Sequence, residues 1–80
     1  MNTFERLLKV FSAVFDGEID TKNISLNSNL RQDVEINSIG LLYMAMAIEE
    51  EFGIKFNNED FLNISTISDV VNIIEEKAAI

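Results

Sequence analysis

With no cysteine and no histidine among its 80 residues, the chain offers only hydroxyls, carboxylates and a few lysines as reactive groups. The usual nucleophile–base pairs and the commonest metal ligands are missing, so independent catalysis is not expected. Any thiol chemistry has to come from an attached group. One hydroxyl stands out by position. Ser38 sits in the run Asp33-Val34-Glu35-Ile36-Asn37-Ser38-Ile39-Gly40-Leu41-Leu42, where a polar loop gives way to the most apolar helical segment. The first N–H groups of a helix lack intrahelical partners and gather partial positive charge, so a phosphate ester on a serine there is held favourably. A serine at a helix start also commonly serves as its cap, contributing about 0.5–2 kcal/mol. Three residues on stands Leu41, which offers no capping-box partner, and the adjacent Asn37 caps equally well. Both roles for Ser38 stay open at this level.

Positioning Ser38 falls to the elements on either side of it. Phe4, Leu7, Leu8, Phe11, Val14 and Phe15 recur at helical intervals after Asn2 and Glu5, which are spaced like a capping box, and predict a first helix over Thr3–Phe15. Asp16-Gly17 should end it. Glu18–Asn37 is rich in Asn, Asp, Ser and Thr, with Ile19, Ile24, Leu26, Leu30, Val34 and Ile36 as expected anchors. A connection of about 20 residues is unusual in a compact domain and tends to be functional. The spaced apolar residues suggest that it lies across the helices. A second helix is expected over Ile39–Phe52, stopped by Gly53. Asn58-Glu59-Asp60-Phe61-Leu62 has the makings of one helical turn, and Ile67, Val70, Val71, Ile74 and Ala78 define a last helix capped by Thr66 with Asp69. Ile54-Lys55-Phe56 alternates briefly but has no second strand to pair with. The expected fold is all-α: a small up-and-down four-helix bundle of three main helices plus a short third one, with a long loop between helices one and two, in a single domain over residues 1–80.

The second helix carries two apolar stripes. Leu41, Met44, Ala45, Ile48 and Phe52 form one; Ile39, Leu42, Tyr43 and Met46 form another, turned roughly 160° away at about 100° per residue. A small bundle needs only one. The second stripe is either packed on another side of a central helix or left as a docking face rimmed by Glu49 and Glu50. Met and Tyr suit an adaptable contact surface. Glu49-Glu50-Glu51 reads equally as a solvated helix end. Gly40, in the first turn, costs roughly 1 kcal/mol against alanine, and is either tolerated or leaves room beside Ser38 for close approach. Asp16-Gly17-Glu18-Ile19-Asp20 lacks the ligand order of a calcium loop, which excludes that reading.

Six Lys plus Arg against fourteen Asp plus Glu leave a net charge of −8. That balance disfavours nucleic acid and anionic membrane surfaces and steers basic proteins inward. A hydrophobic content of 48% is too high for an acidic disordered tail. The N-terminal residues do not read as a secretory signal, and no apolar run nears the ~20 residues needed to span a bilayer. A cytoplasmic monomer without stable membrane insertion is expected.

The segment around Ser38 resembles the Asp-Leu-Gly-x-Asp-Ser-Leu attachment motif of acyl carrier proteins, and the likeness extends over almost the whole chain. The resemblance implies a 4′-phosphopantetheine arm on Ser38, flanked by Asn37 and Ile39. It also implies a separate phosphopantetheinyl transferase that moves the arm from coenzyme A, and thioester-bound acyl cargo in fatty acid or specialised lipid or polyketide biosynthesis. Partners would be basic-patched synthases, transferases and ligases, docking weakly and in a salt-sensitive manner on Ile39, Leu42, Tyr43, Met46, Glu49 and Glu50. Three residues depart from the pattern: Glu35 stands for a usual glycine, Asn37 for the acid before the serine, and Tyr43 at a position that is often acidic. These departures suggest a specialised carrier. A peptidyl or aminoacyl carrier of a peptide synthetase uses a similar motif, and a cofactor-free acidic helical adaptor gripping one protein partner is the competing class.

Overall fold

The computed structural model describes residues 2–16 and 20–79. Gly17, Ile19 and most of the rejected calcium run lie outside the described residues. Four helices form a small bundle: α1 (Thr3–Val14), α2 (Ser38–Phe52), α3 (Asn58–Asn63) and α4 (Ile67–Ala78). No strand occurs among the described residues; Asn29 and Thr66 form one isolated antiparallel bridge.

Caps set the helix starts. Asn2 accepts from the Glu5 N–H at 2.8 Å, opening α1. That leaves Thr3 buried rather than capping, and its hydroxyl donates to the Glu75 carboxylate of α4 at 3.0 Å. Asn57 with Asp60 and Thr66 with Asp69 are reciprocal capping boxes at α3 and α4. Hydrogen bonds from the Asn57 backbone, helped by Lys77 at 3.1 Å, hold the Asp60 carboxyl below its ordinary pKa. Backbone donors of Thr66 and Ser65 lower Asp69 in the same direction. A lowered folded-state pKa means that both carboxylates favour the folded state above the ordinary value of 3.8 and lose that contribution as pH falls through the lowered one. Gly53, at φ +67°, ends α2 in the left-handed conformation that a Cβ disfavours, and its N–H returns to the Glu49 carbonyl.

Helix α1 packs on both α2 and α4. The core joins Leu7, Val10 and Phe11 of α1, Met44, Ala45 and Ile48 of α2, and Ile67, Val70, Val71 and Ile74 of α4. The loop adds Leu30, Val34 and Ile36, all buried. Ile24 is half-buried, whereas Leu26, expected as an anchor, is exposed. Its backbone does the anchoring instead: the Leu26 carbonyl accepts from the Ser68 N–H at 2.8 Å, and the Ser28 carbonyl from Ile67 at 3.0 Å. Both donors belong to the first turn of α4, which has no intrahelical acceptors for them. The Leu30 N–H answers with a bond to the Ser65 carbonyl. The long connection is thus sewn to the start of α4, with a short 3-10 turn at Thr21–Asn23 that no apolar pattern marks.

Candidate functional site

Two buried residues, Val34 and Ile36, pin the backbone on either side of Glu35 and lead the chain into α2. Asn29 organises the preceding turn. Its side-chain oxygen accepts from the N–H groups of Arg31 and Gln32 at 2.9 Å each, while the Asp33 carboxylate accepts from the Asn29 N–H at 2.7 Å. Asp33 is therefore committed to the loop. Glu35 adopts φ +63°, the left-handed region in which an L side chain costs about 1–2 kcal/mol. In the motif that this segment resembles, glycine is usual at this position, and glycine adopts such a φ without that cost. Glu35→Gly is expected to raise stability by about 0.5–1 kcal/mol, the relief of strain less the greater unfolded-state freedom of glycine. Urea denaturation reads this directly, and an unchanged or lowered midpoint would rule out backbone strain at Glu35.

The cap of α2 is Asn37, not Ser38. The Asn37 side-chain oxygen accepts from the Gly40 N–H at 2.7 Å. Ser38 is the first residue of the helix, exposed, and its hydroxyl makes no hydrogen bond among the described residues. Gly40 faces inward: a Cβ there would lie 3.2 Å from Ile36 Cγ2, 3.3 Å from the Asn37 side-chain oxygen and 3.3 Å from Phe15 Cε1. The missing side chain thus lets the loop, the cap and α1 close on the helix start, rather than opening space beside Ser38.

The second stripe of α2 is solvent-facing. Ile39, Leu42, Tyr43 and Met46 are 65%, 56%, 61% and 64% exposed, which removes the alternative of a helix packed on both sides. Ile39 lies three and four residues before Leu42 and Tyr43, and Met46 four and three after them, so they make one face running from Ser38 along the helix. The acids at its far end are less free than their sequence suggests. The Glu49 carboxylate accepts from the Phe56 N–H at 2.7 Å and is half-buried. Glu51 pairs with Arg6 at 3.0 Å, and that guanidinium also lies 4.2 Å from the Phe52 ring centroid. Glu50 is exposed and has no ion-pair partner among the described residues, although it shares an α1–α2 groove with Arg6 and Lys9. Helical spacing places all three glutamates but not their tertiary partners.

At the start of α2, then, an exposed hydroxyl without a hydrogen bond among the described residues stands beside an apolar, solvent-facing stripe. The pattern of phosphopantetheine attachment sites matches residues 5–74. The acyl carrier protein of Thermosynechococcus vestitus is 31% identical over 80 residues, covering 99% of each chain. The chain belongs to the acyl carrier protein family. Two further acyl carrier proteins are similar over shorter stretches. That of Coprothermobacter proteolyticus is 35% identical over 57 residues, 71% of this chain and 70% of its own. That of Petrotoga mobilis is 31% identical over 59 residues, 74% and 69%. The molecule is accordingly a carrier rather than an enzyme, with covalently attached 4′-phosphopantetheine as the prosthetic group of its family. Bound, that group supplies the thiol that this cysteine-free chain lacks. No helix of the described residues is long and apolar enough to cross a membrane.

One further residue belongs to this neighbourhood. Arg31 lines the same shallow surface depression as Glu35, Ile36, Asn37 and Ser38. No periodicity or turn pattern singles it out, because the loop's fold and not its spacing carries Arg31 back to Ser38.

Proposed function

We propose that residues 1–80 act as one cytoplasmic carrier domain that bears its 4′-phosphopantetheine on the Ser38 oxygen and presents acyl thioesters to enzymes of fatty acid or specialised lipid or polyketide biosynthesis. The supporting observation is the division of labour at the start of α2. Asn37 makes the capping bond, so Ser38 Oγ is exposed and unengaged where a transferase can reach it. Val34 and Ile36 hold the approach to the helix rigid from below. Asn37 and Tyr43 stand where the family pattern favours acids, which supports a specialised carrier. Incubation with coenzyme A and a broad-specificity phosphopantetheinyl transferase tests the reading. The expected result is an intact mass larger by one phosphopantetheinyl group; a chain of unchanged mass would overturn it.

The docking face is Ile39, Leu42, Tyr43 and Met46, with Glu49 and Glu50 at its end. With Glu49 bonded to the Phe56 N–H and Glu51 paired with Arg6 at the surface, charge acts mainly through Glu50, so a partner offers an apolar hollow to the first turns of α2 and a basic residue towards Glu50. Encounter is steered by the net charge of −8, while affinity comes from apolar contact. Met46→Glu and Tyr43→Glu are each expected to weaken binding to the transferase by about 2 kcal/mol, roughly thirtyfold. High salt is expected to weaken the wild type by at most about 1 kcal/mol, about fivefold, as for one exposed ion pair. Titration calorimetry at two salt concentrations measures both. Wild-type affinity collapsing with salt, while the glutamate variants bind normally, would rule out an apolar docking face.

A further inference from the structure

We infer that Arg31 is the phosphate-binding residue of the loaded carrier: its guanidinium holds the phosphodiester on Ser38. This rests on Ser38 being the attachment point. Arg31 and Ser38 line one depression together with Glu35, Ile36 and Asn37. Cations are scarce in this chain, six against fourteen acids, so an added phosphodiester meets a mostly repulsive surface. Arg6 and Lys77 are taken up by Glu51 and Asp60. Arg31 is exposed and makes no ion pair among the described residues.

Its backbone is fixed even though its head is free. The Arg31 N–H donates to the Asn29 side chain, and the neighbouring Leu30 is buried and bonded to Ser65. The pinned turn fixes where the side chain starts, and the planar guanidinium fork matches two oxygens of a phosphate, which an ammonium does not.

The test compares the loaded wild-type chain with loaded Arg31→Gln and Arg31→Lys, and with Lys55→Gln as an exposed control, after intact-mass analysis has established loading of each. The 31P resonance of the phosphodiester and the amide resonances of residues 29–32 are read before and after loading. Expected are loading-dependent shifts at residues 29–32 in the wild type, their loss in Arg31→Gln, partial retention in Arg31→Lys, and a displaced 31P resonance in Arg31→Gln but not in Lys55→Gln. Loaded chains whose 31P and loop resonances are indifferent to Arg31→Gln would overturn the inference and leave the carrier reading standing. A wild-type chain that takes up no group overturns both.

Discussion

Ser38→Ala takes up no phosphopantetheinyl group under conditions in which the wild type loads fully, and its stability stays within about 0.5 kcal/mol of the wild type. The second half of that result is what separates a tether from a cap. Were Ser38 the cap of α2, removing its hydroxyl would cost typically about 1 kcal/mol. Here the Asn37 oxygen takes the Gly40 N–H at 2.7 Å, and the Ser38 hydroxyl has no bond to lose among the described residues. Asn37→Ala carries the capping loss instead, about 1 kcal/mol. Intact mass and urea denaturation of the two variants together give a crossed pattern: one loses loading and keeps stability, the other loses stability. A Ser38→Ala chain that still gains the group would move the attachment elsewhere and sink the carrier assignment of this residue.

Phe11→Ala is expected to destabilise the bundle by about 3–5 kcal/mol. An 80-residue chain has a total of only about 4–12 kcal/mol at the usual 0.05–0.15 per residue, so this variant forfeits from about a quarter of its stability to all of it. Phe11 is fully buried in α1, the helix that packs on both α2 and α4, and its ring lies 6.3 Å from that of Phe15. Phe15 in turn closes against Gly40 at the start of α2. The cavity left by the alanine therefore opens at the centre of the core and loosens the support of the helix that carries Ser38. Chemical denaturation by circular dichroism measures the loss, and loading of the surviving folded fraction reports on the site. A drop below about 1 kcal/mol would mean that the core repacks around the vacancy and that α1 is not its keystone.

Several features of this carrier were legible from residue order alone because they depend on interactions a few residues long. The periodicities of α1 and α4, the Thr66–Asp69 capping box and the arrest of α2 at Gly53 are of this kind. So is the segment around Ser38, whose likeness to an attachment motif rests on residue types in order. Even the long connection gave itself away in part, since Leu30, Val34 and Ile36 are buried as their spacing suggested, though Leu26 is not. Local rules also left matched alternatives wherever two residues could do the same job. Asn37 and Ser38 can each cap α2, and the choice went to Asn37, with the helix start closed over Gly40 by Phe15 and Ile36.

The remaining decisions belong to the tertiary structure, because they join residues far apart in the chain. Both stripes of α2 have the same period, and only the placement of α1 and α4 determines that Met44 and Ile48 are inside while Tyr43 and Met46 face water. The three glutamates look alike in sequence, yet Phe56 binds one and Arg6 another, so the face is less charged than its composition implies. The strain at Glu35 arises because buried Val34 and Ile36 fix the backbone on both sides of it. Arg31 reaches the neighbourhood of Ser38 through the turn held by Asn29 and Ser65, a long-range bond that no window of sequence contains.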